Sequence, residues 1–216
     1  MTQPSQSSVS NAQPLRLRTS PASPFGRKVR MSAAAIGLAD RLKIEPADTA
    51  DPQDSLRQQN PLGKIPVLLL DDGQALYDSR VIVEFLNDQD GRSILIPSGE
   101  GRYAALIQQV LADGILDAAI LQVYEGRYRP EHKHEQSWLD YQRGKVDRAL
   151  EAFGKQLPAP GEGGPHIGEI ALAAALGYLD FRFQGYWRDA HPGLVDWLDA
   201  FGQRFPAYEA TAPDAK

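Results

Sequence analysis

The sequence predicts a mixed α/β unit of order β-α-β-α-β-β-α, followed by an all-α unit. Three observations predict it. Short apolar runs bounded by turn residues alternate with helical patterns up to residue 90, residues 91–101 shift to Gly, Pro and Ser, and every later apolar pattern has helical spacing. The expected boundaries are a disordered tail over 1–14, the α/β unit over 15–90, a linker over 91–101, the helical unit over 102–210, and a tail over 211–216. A chain of 216 residues is long enough for two units that each bury a core.

Each element has its own local reason. Leu15 to Arg18 alternates apolar and basic residues, as a short strand does. Ser23 is a good N-cap and Pro24 a favoured first helical residue, with Val29, Ala33 and Ile36 forming a buried stripe that Gly37 ends. A second strand covers Leu42 to Pro46 and a short helix lies near Asp54 to Gln59. Val67 to Leu70 reads as a strand, Asp71-Asp72-Gly73 as a turn, and Gln74 to Tyr77 as the paired return strand. Val81, Ile82, Phe85 and Leu86 recur at helical spacing from Ser79 to about Asn87. Beyond the linker, helices are expected over Arg102 to Tyr128, Glu135 to Leu157 and Pro192 to Arg204. Ile170 to Tyr178 is apolar on nearly every side, which places it at the centre of the helical unit.

Composition removes several function classes. The net charge of −5 comes without a basic stripe, which disfavours nucleic acid as a partner. With no cysteine there is no disulfide framework, no thiolate-ligated zinc and no internal cysteine nucleophile. Met1 to Pro14 lacks the charged start and apolar run of a secretory signal, and no stretch approaches about 18 consecutive apolar residues. A cytoplasmic protein without a membrane partner is the expectation.

Three fragments carry candidate chemistry. Ser23 caps a helix, yet a hydroxyl that accepts one bond still has a proton to donate, and an anion there also meets the positive end of the helix. A thiolate placed at that point is stabilised, and lowering a thiol pKa from about 8.5 to about 6.5 takes roughly 2.7 kcal/mol. Thr19 and Ser20 compete for the role. Gly63-Lys64-Ile65-Pro66 puts a cation and an extended residue before a strand, so that Ile65 can pair with a peptide by its backbone while Lys64 meets a carboxylate. Asp78-Ser79 opens a helix, where capping and anion binding are both open readings.

Ser-Pro-x-Ser-Pro-Phe-x-Arg-Lys-Val-Arg from Ser20, Asn-Pro-Leu-Gly-Lys-Ile-Pro from Asn60 and Asp78-Ser79 together resemble the glutathione-binding domain of cytosolic glutathione S-transferases. Ile170-Ala171-Leu172-Ala173 and His191-Pro192-Gly193-Leu194 extend the resemblance to about Ala210. It implies a thioredoxin-like domain followed by a helical domain in a homodimer. Glutathione would be the co-substrate, with no metal, and a small-molecule electrophile would bind between the domains. Ser23 would contact the sulfur, with Ser20 as alternative, and Phe25 would belong to the glutathione site. Lys64 would meet the glycyl carboxylate, Ile65 would pair with the cysteinyl unit before a cis Pro66, and Asp78 and Ser79 would hold the γ-glutamyl end. A Ser at position 23 implies conjugation to a small hydrophobic electrophile, in the service of detoxification. A glutathione-dependent isomerase or lyase and a non-catalytic binding or regulatory protein are the alternatives.

The sequence departs from the family pattern where His166 and Glu169 stand for the usual Ser/Thr cap and Asp of the central helix. His166 is expected to be the poorer cap. Arg204-Phe205-Pro206 replaces an Arg-Pro pair. For the electrophile, Asp113 and Asp117 share a helix face, as do Tyr124 and Tyr128; a solvated pair and an aromatic packing pair are the competing readings. Arg127 and Arg129 suit an acidic substrate or a solvated turn, and His132 with His134 lacks the carboxylate spacing of a metal site.

Overall fold

In a computed structural model, residues 14–213 are described. The expected N-terminal tail, apart from Pro14, and residues 214–216 lie outside them. Strand β1 (Leu15–Thr19) pairs in parallel with β2 (Leu42–Pro46) and antiparallel with β3 (Val67–Leu69), which pairs antiparallel with β4 (Ala75–Leu76). The order across the sheet is β2-β1-β3-β4. Two parallel neighbours need a crossover, and α1 (Pro24–Ala35) supplies it. Helix α2 (Leu56–Gln59) is a single turn, and α3 (Ser79–Asp90) runs one turn beyond the expected Asn87 because Gly91 ends it in the left-handed conformation.

The strand period of two divides the apolar residues between the faces of the sheet. Leu17 and Leu68 join the main core with Val29, Ile82 and Leu86, while Val67 and Leu69 pack with Leu56 and Ala47 on the other side. Residues 91–100 form no helix or strand but are packed: Ile94, Leu95 and Ile96 are buried, and Asn87 Oδ1 accepts from the Ile96 N–H at 2.9 Å.

The helical half consists of α4 (Gly101–Tyr128), α5 (Gln136–Lys155), α6 (Ile167–Phe183), α7 (Pro192–Arg204) and the short α8 (Ala207–Ala210), which the sequence pattern does not predict. All residues from Ile167 to Leu179 of α6 are buried, so the stretch without polar faces is the axis of this half. Helix α4 is long and apolar enough by composition to cross a membrane, with mean hydropathy 1.5 over its best window. Here it packs along α5 and α6 and carries the buried carboxylate of Asp113.

His166 corrects the expectation of a poor cap. Its Nδ1 accepts from the Gly168 N–H at 3.1 Å and its Nε2 lies 3.1 Å from the Ala159 carbonyl, so the neutral Nε2–H tautomer satisfies both partners. Glu169 accepts from the N–H groups of His166 and Gly161 and is paired with Arg204, which closes a capping box. At the other end, the expected tail over 211–216 begins with a packed residue. Thr211 is buried, and Arg27 of α1 donates to the Tyr208 carbonyl at 2.7 Å while its guanidinium stacks on the Tyr208 ring.

Candidate functional site

The sheet topology brings the three fragments to one edge. Val67 pairs with Arg18, so the start of β3 lies at the end of β1, and Leu76 pairs with Leu68, so the end of β4 lies there as well. Ser23, Lys64-Ile65 and Asp78-Ser79 therefore follow β1, precede β3 and follow β4 at the same end of the sheet. Local sequence makes each of the three, and antiparallel pairing assembles them.

Ser23 is the N-cap of α1, and its Oγ accepts from the Gly26 N–H at 3.0 Å. The hydroxyl proton is left to donate, and no acidic residue in the first turn offsets the positive end of the helix. Thr19 is buried with its Oγ1 against α1, where a Cβ on Gly26 would collide with it, so it faces the fold and not the cleft. The Ser20 carbonyl accepts from the Ser23 N–H at 3.1 Å and tightens the turn that presents Ser23. Phe25, half-buried in the first turn of α1, has the Lys28 ammonium 5.3 Å from its ring.

Asn60 is a site residue that the motif contains but the sequence reading does not single out. It is buried, its Oδ1 accepts from the Leu62 N–H at 3.0 Å and its Nδ2 donates to the Lys64 carbonyl at 2.9 Å. This side chain shapes the loop that ends in a cis Ile65–Pro66 peptide. Among the described residues, neither the N–H nor the carbonyl of Ile65 has a hydrogen-bond partner, so the loop offers a free strand edge beside the exposed Lys64. Asp78 caps α3 by accepting from the Arg80 N–H at 2.8 Å, and Ser79 is buried as the first helical residue. The Tyr77–Asp78 peptide is also cis.

Asp113 departs from the expectation of a pocket residue. It is 1% exposed, with one oxygen 2.6 Å from Lys28 Nζ and the other 2.9 Å from Arg80 Nε. Lys28 is 0% exposed: burial pushes its pKa down, and the Asp113 carboxylate opposes that. One carboxylate from α4 thus ties α1 to the start of α3. Its signal in the sequence was Lys28 itself, four residues before the buried Ser32, since a cation on a buried helix face calls for a carboxylate. Asp117, one turn on, is exposed, and its pKa is raised by partial burial and then by Asp113, with Arg80 and Lys64 pulling it back.

The last turns of α4 carry Tyr124 and Tyr128, edge to face with centroids 5.2 Å apart, both exposed on one side. Arg127 stacks against Tyr124, whereas Arg129 is bound to the buried Glu125. The Nε2 of His134 lies 3.0 Å from the Arg129 carbonyl, and no group of three or more His, Asp or Glu side chains suited to a metal occurs among the described residues. A cleft beside Ser23 is lined by Pro21, Ala22 and Arg27 on one side and by Ala174, Gly177 and Tyr178 of α6 on the other. The sequence reading did not connect Tyr178 with this site; its signal was only a hydroxyl within an otherwise apolar central helix.

Comparison with known proteins agrees with this geometry. Residues 22–89 match the family model for the glutathione S-transferase N-terminal domain, and residues 106–200 match the model for the C-terminal domain. An uncharacterised GST-like protein of Escherichia coli, YibF, is 31% identical over 171 residues, which cover 78% of this chain and 83% of that protein. A probable glutathione S-transferase of Zea mays, BZ2, is 40% identical over 195 residues, covering 87% of this chain and 72% of that one. A glutathione transferase family member from Pseudomonas fluorescens Pf-5, solved with bound glutathione, superposes with a TM-score of 0.83 at 41% identity, covering 93% of this chain and 99% of its own. The same protein was solved with S-(propanoic acid)-glutathione, at a TM-score of 0.81. With both domain models matched in order along a thioredoxin-like sheet and a helical half, this chain belongs to the glutathione S-transferase family.

Proposed function

We propose that the protein is a glutathione transferase that holds the glutathione thiolate at Ser23 and adds its sulfur to a carbon of a small hydrophobic electrophile. The observation that carries this reading is the Ser23 hydroxyl at the N-terminus of α1: its oxygen accepts from the Gly26 N–H, which leaves its proton to donate to an anion at the positive end of the helix. Ile65 pairs with the cysteinyl backbone, Lys64 receives the glycyl carboxylate, and Ser79 with the first turn of α3 receives the γ-glutamyl end. Catalysis then consists of thiolate stabilisation and proximity. The relative from Pseudomonas fluorescens binds a glutathione thioether, the product type of such a reaction, which favours conjugation over the isomerase, lyase and non-catalytic readings. Tyr103, Ile107 and Val110, which are 73%, 67% and 53% exposed along one face of α4, give a homodimer its contact surface.

The test is the ultraviolet thiolate absorbance of bound glutathione against pH in wild type, Ser20→Ala and Ser23→Ala, with binding followed by calorimetry. Ser23→Ala is expected to raise the thiol pKa by about 1 to 2 units, the loss of one hydrogen bond to a charged group. An unchanged titration in Ser23→Ala, or no glutathione binding below millimolar concentration, overturns the assignment.

A further inference from the structure

Lys28 is a fully buried cation on the core face of α1, where Val29, Met31 and Ala33 beside it are apolar. It follows the cap Ser23 by about 7.5 Å along the helix at the α-helical rise. Its ammonium lies 2.6 Å from Asp113 of α4 and 5.3 Å from the ring of Phe25 in the first turn of α1. The other oxygen of Asp113 accepts from Arg80, the residue after Ser79 at the start of α3. A single carboxylate therefore joins the helix that Ser23 caps to the helix that Ser79 begins.

Stability alone does not call for this arrangement. Desolvating two charges offsets most of their attraction, so two apolar side chains of similar volume hold helices together as firmly. Apolar contact is non-directional: Val29, Met31 and Ala33 fix which face of α1 meets the core, but not where the helix sits along its axis. A charge-assisted hydrogen bond is short and directional. Anchored on α4 and set against Phe25, it fixes the axial position of α1. That position matters because a group must be held within roughly 0.5 Å of its productive geometry to act on a ligand.

We infer that Lys28 is a positioning residue of the glutathione site: through Asp113 it holds α1 in register with α3 and α4, so that the Ser23 hydroxyl meets a sulfur whose place is set by Ile65 and Ser79. The inference rests on the transferase reading for its ligand. Lys28 is buried and touches no ligand, so it acts only through the place of Ser23. Loss of the pair leaves the tripeptide bound by its two ends and moves the hydroxyl away from the sulfur.

The test uses the full chain and two ligands. Glutathione reports its bound thiol pKa through ultraviolet thiolate absorbance, and S-methylglutathione, which has no thiol, reports by calorimetry the hold on the rest of the tripeptide. The variants are Lys28→Met/Asp113→Leu, Lys28→Met, and each of these combined with Ser23→Ala, with folding checked by a thermal scan. Lys28→Met/Asp113→Leu removes one charge of each sign, so the net charge beside the site is unaltered. It is expected to stay folded and to bind S-methylglutathione within about threefold of wild type. The pKa of bound glutathione should nevertheless rise by about one unit, roughly a tenfold loss in thiolate formation. Adding Ser23→Ala should raise it no further than Ser23→Ala does alone, because residues that act through one contact are not additive. Lys28→Met keeps the Arg80–Asp113 pair and releases only α1, so it should show the same pattern even where the paired variant does not fold. An unchanged thiol pKa in the folded variants, a shift that adds to that of Ser23→Ala, or an equal loss of S-methylglutathione affinity overturns the inference. Failure of both variants to fold overturns it as well, since the pair is then structural only. A wild type that binds neither ligand removes the transferase reading and the inference together, whereas wild-type binding with unaltered variants removes the inference alone.

Discussion

Replacing Asp113 by Ala is expected to destabilise the protein by about 3 to 5 kcal/mol, the cost of breaking a buried ion pair by removing one partner. The magnitude follows from what stays behind. Lys28 is 0% exposed and loses the oxygen 2.6 Å from its Nζ, so an ammonium remains in the core without compensation. The Arg80 side chain is 47% exposed and can turn to water, so its share is at most about 1 kcal/mol. For a chain of this size the loss corresponds to a fall of roughly 6 to 20 °C in unfolding midpoint. The assay is thermal and urea unfolding of wild type, Asp113→Ala, Lys28→Met and the double variant Lys28→Met/Asp113→Leu. The double variant should recover most of the loss, since two apolar side chains leave no buried charge. The pH arm has a definite sign. In Asp113→Ala the folded pKa of Lys28 falls further below its unfolded value, so the unfolded chain binds more protons between those two values. Stability of this variant should therefore rise more steeply than that of wild type from pH 7 to pH 9. A loss under about 1 kcal/mol, or a double variant no more stable than Asp113→Ala, would refute the reasoning.

Two further outcomes are expected. Burial holds His166 below its usual pKa, so folding favours the neutral ring; the cap contributes fully above about pH 6.5 and is lost as pH falls through the lower folded value. His166→Ser keeps a capping oxygen and should flatten the decline in unfolding midpoint between pH 7 and pH 5, whereas an unaltered slope would show that another group titrates there. For assembly, Ile107→Glu places a charge in the exposed apolar face of α4 and should convert the proposed dimer to a monomer by sedimentation; a wild-type monomer at micromolar concentration would contradict the homodimer reading.

Much of the fold was legible because its signals are local. Ser23-Pro24 starts α1, Gly37 follows its end, Asp78 caps α3, and the all-apolar run from Ile170 marks the central helix. The three candidate-site fragments were legible for the same reason: a cap hydroxyl, a loop before a proline and a helix N-terminus are each defined within a few residues. Where composition alone guided the reading, packing overruled it. Residues 91–101 look like a loose tether by their Gly, Pro and Ser, yet Ile94, Leu95 and Ile96 bury themselves in the core. His166 looks like a weak cap by residue type, yet a neutral ring with one acceptor and one donor fits both of its partners.

The sequence by itself determined the order of elements, the three fragments that meet at one end of the sheet, and the lack of any cysteine to compete with a borrowed thiol. Tertiary structure alone turned the Thr19 hydroxyl toward α1, where it lies against Gly26. It also decided that Asp113 serves Lys28, 85 positions earlier in the chain, and not the pocket, and that Tyr178 of α6 lines the same cleft as Ser23. The physical reason is the range of the interactions. Caps and turns are written in adjacent residues, whereas the partner of a buried charge or the far wall of a cleft exists only once distant helices have packed.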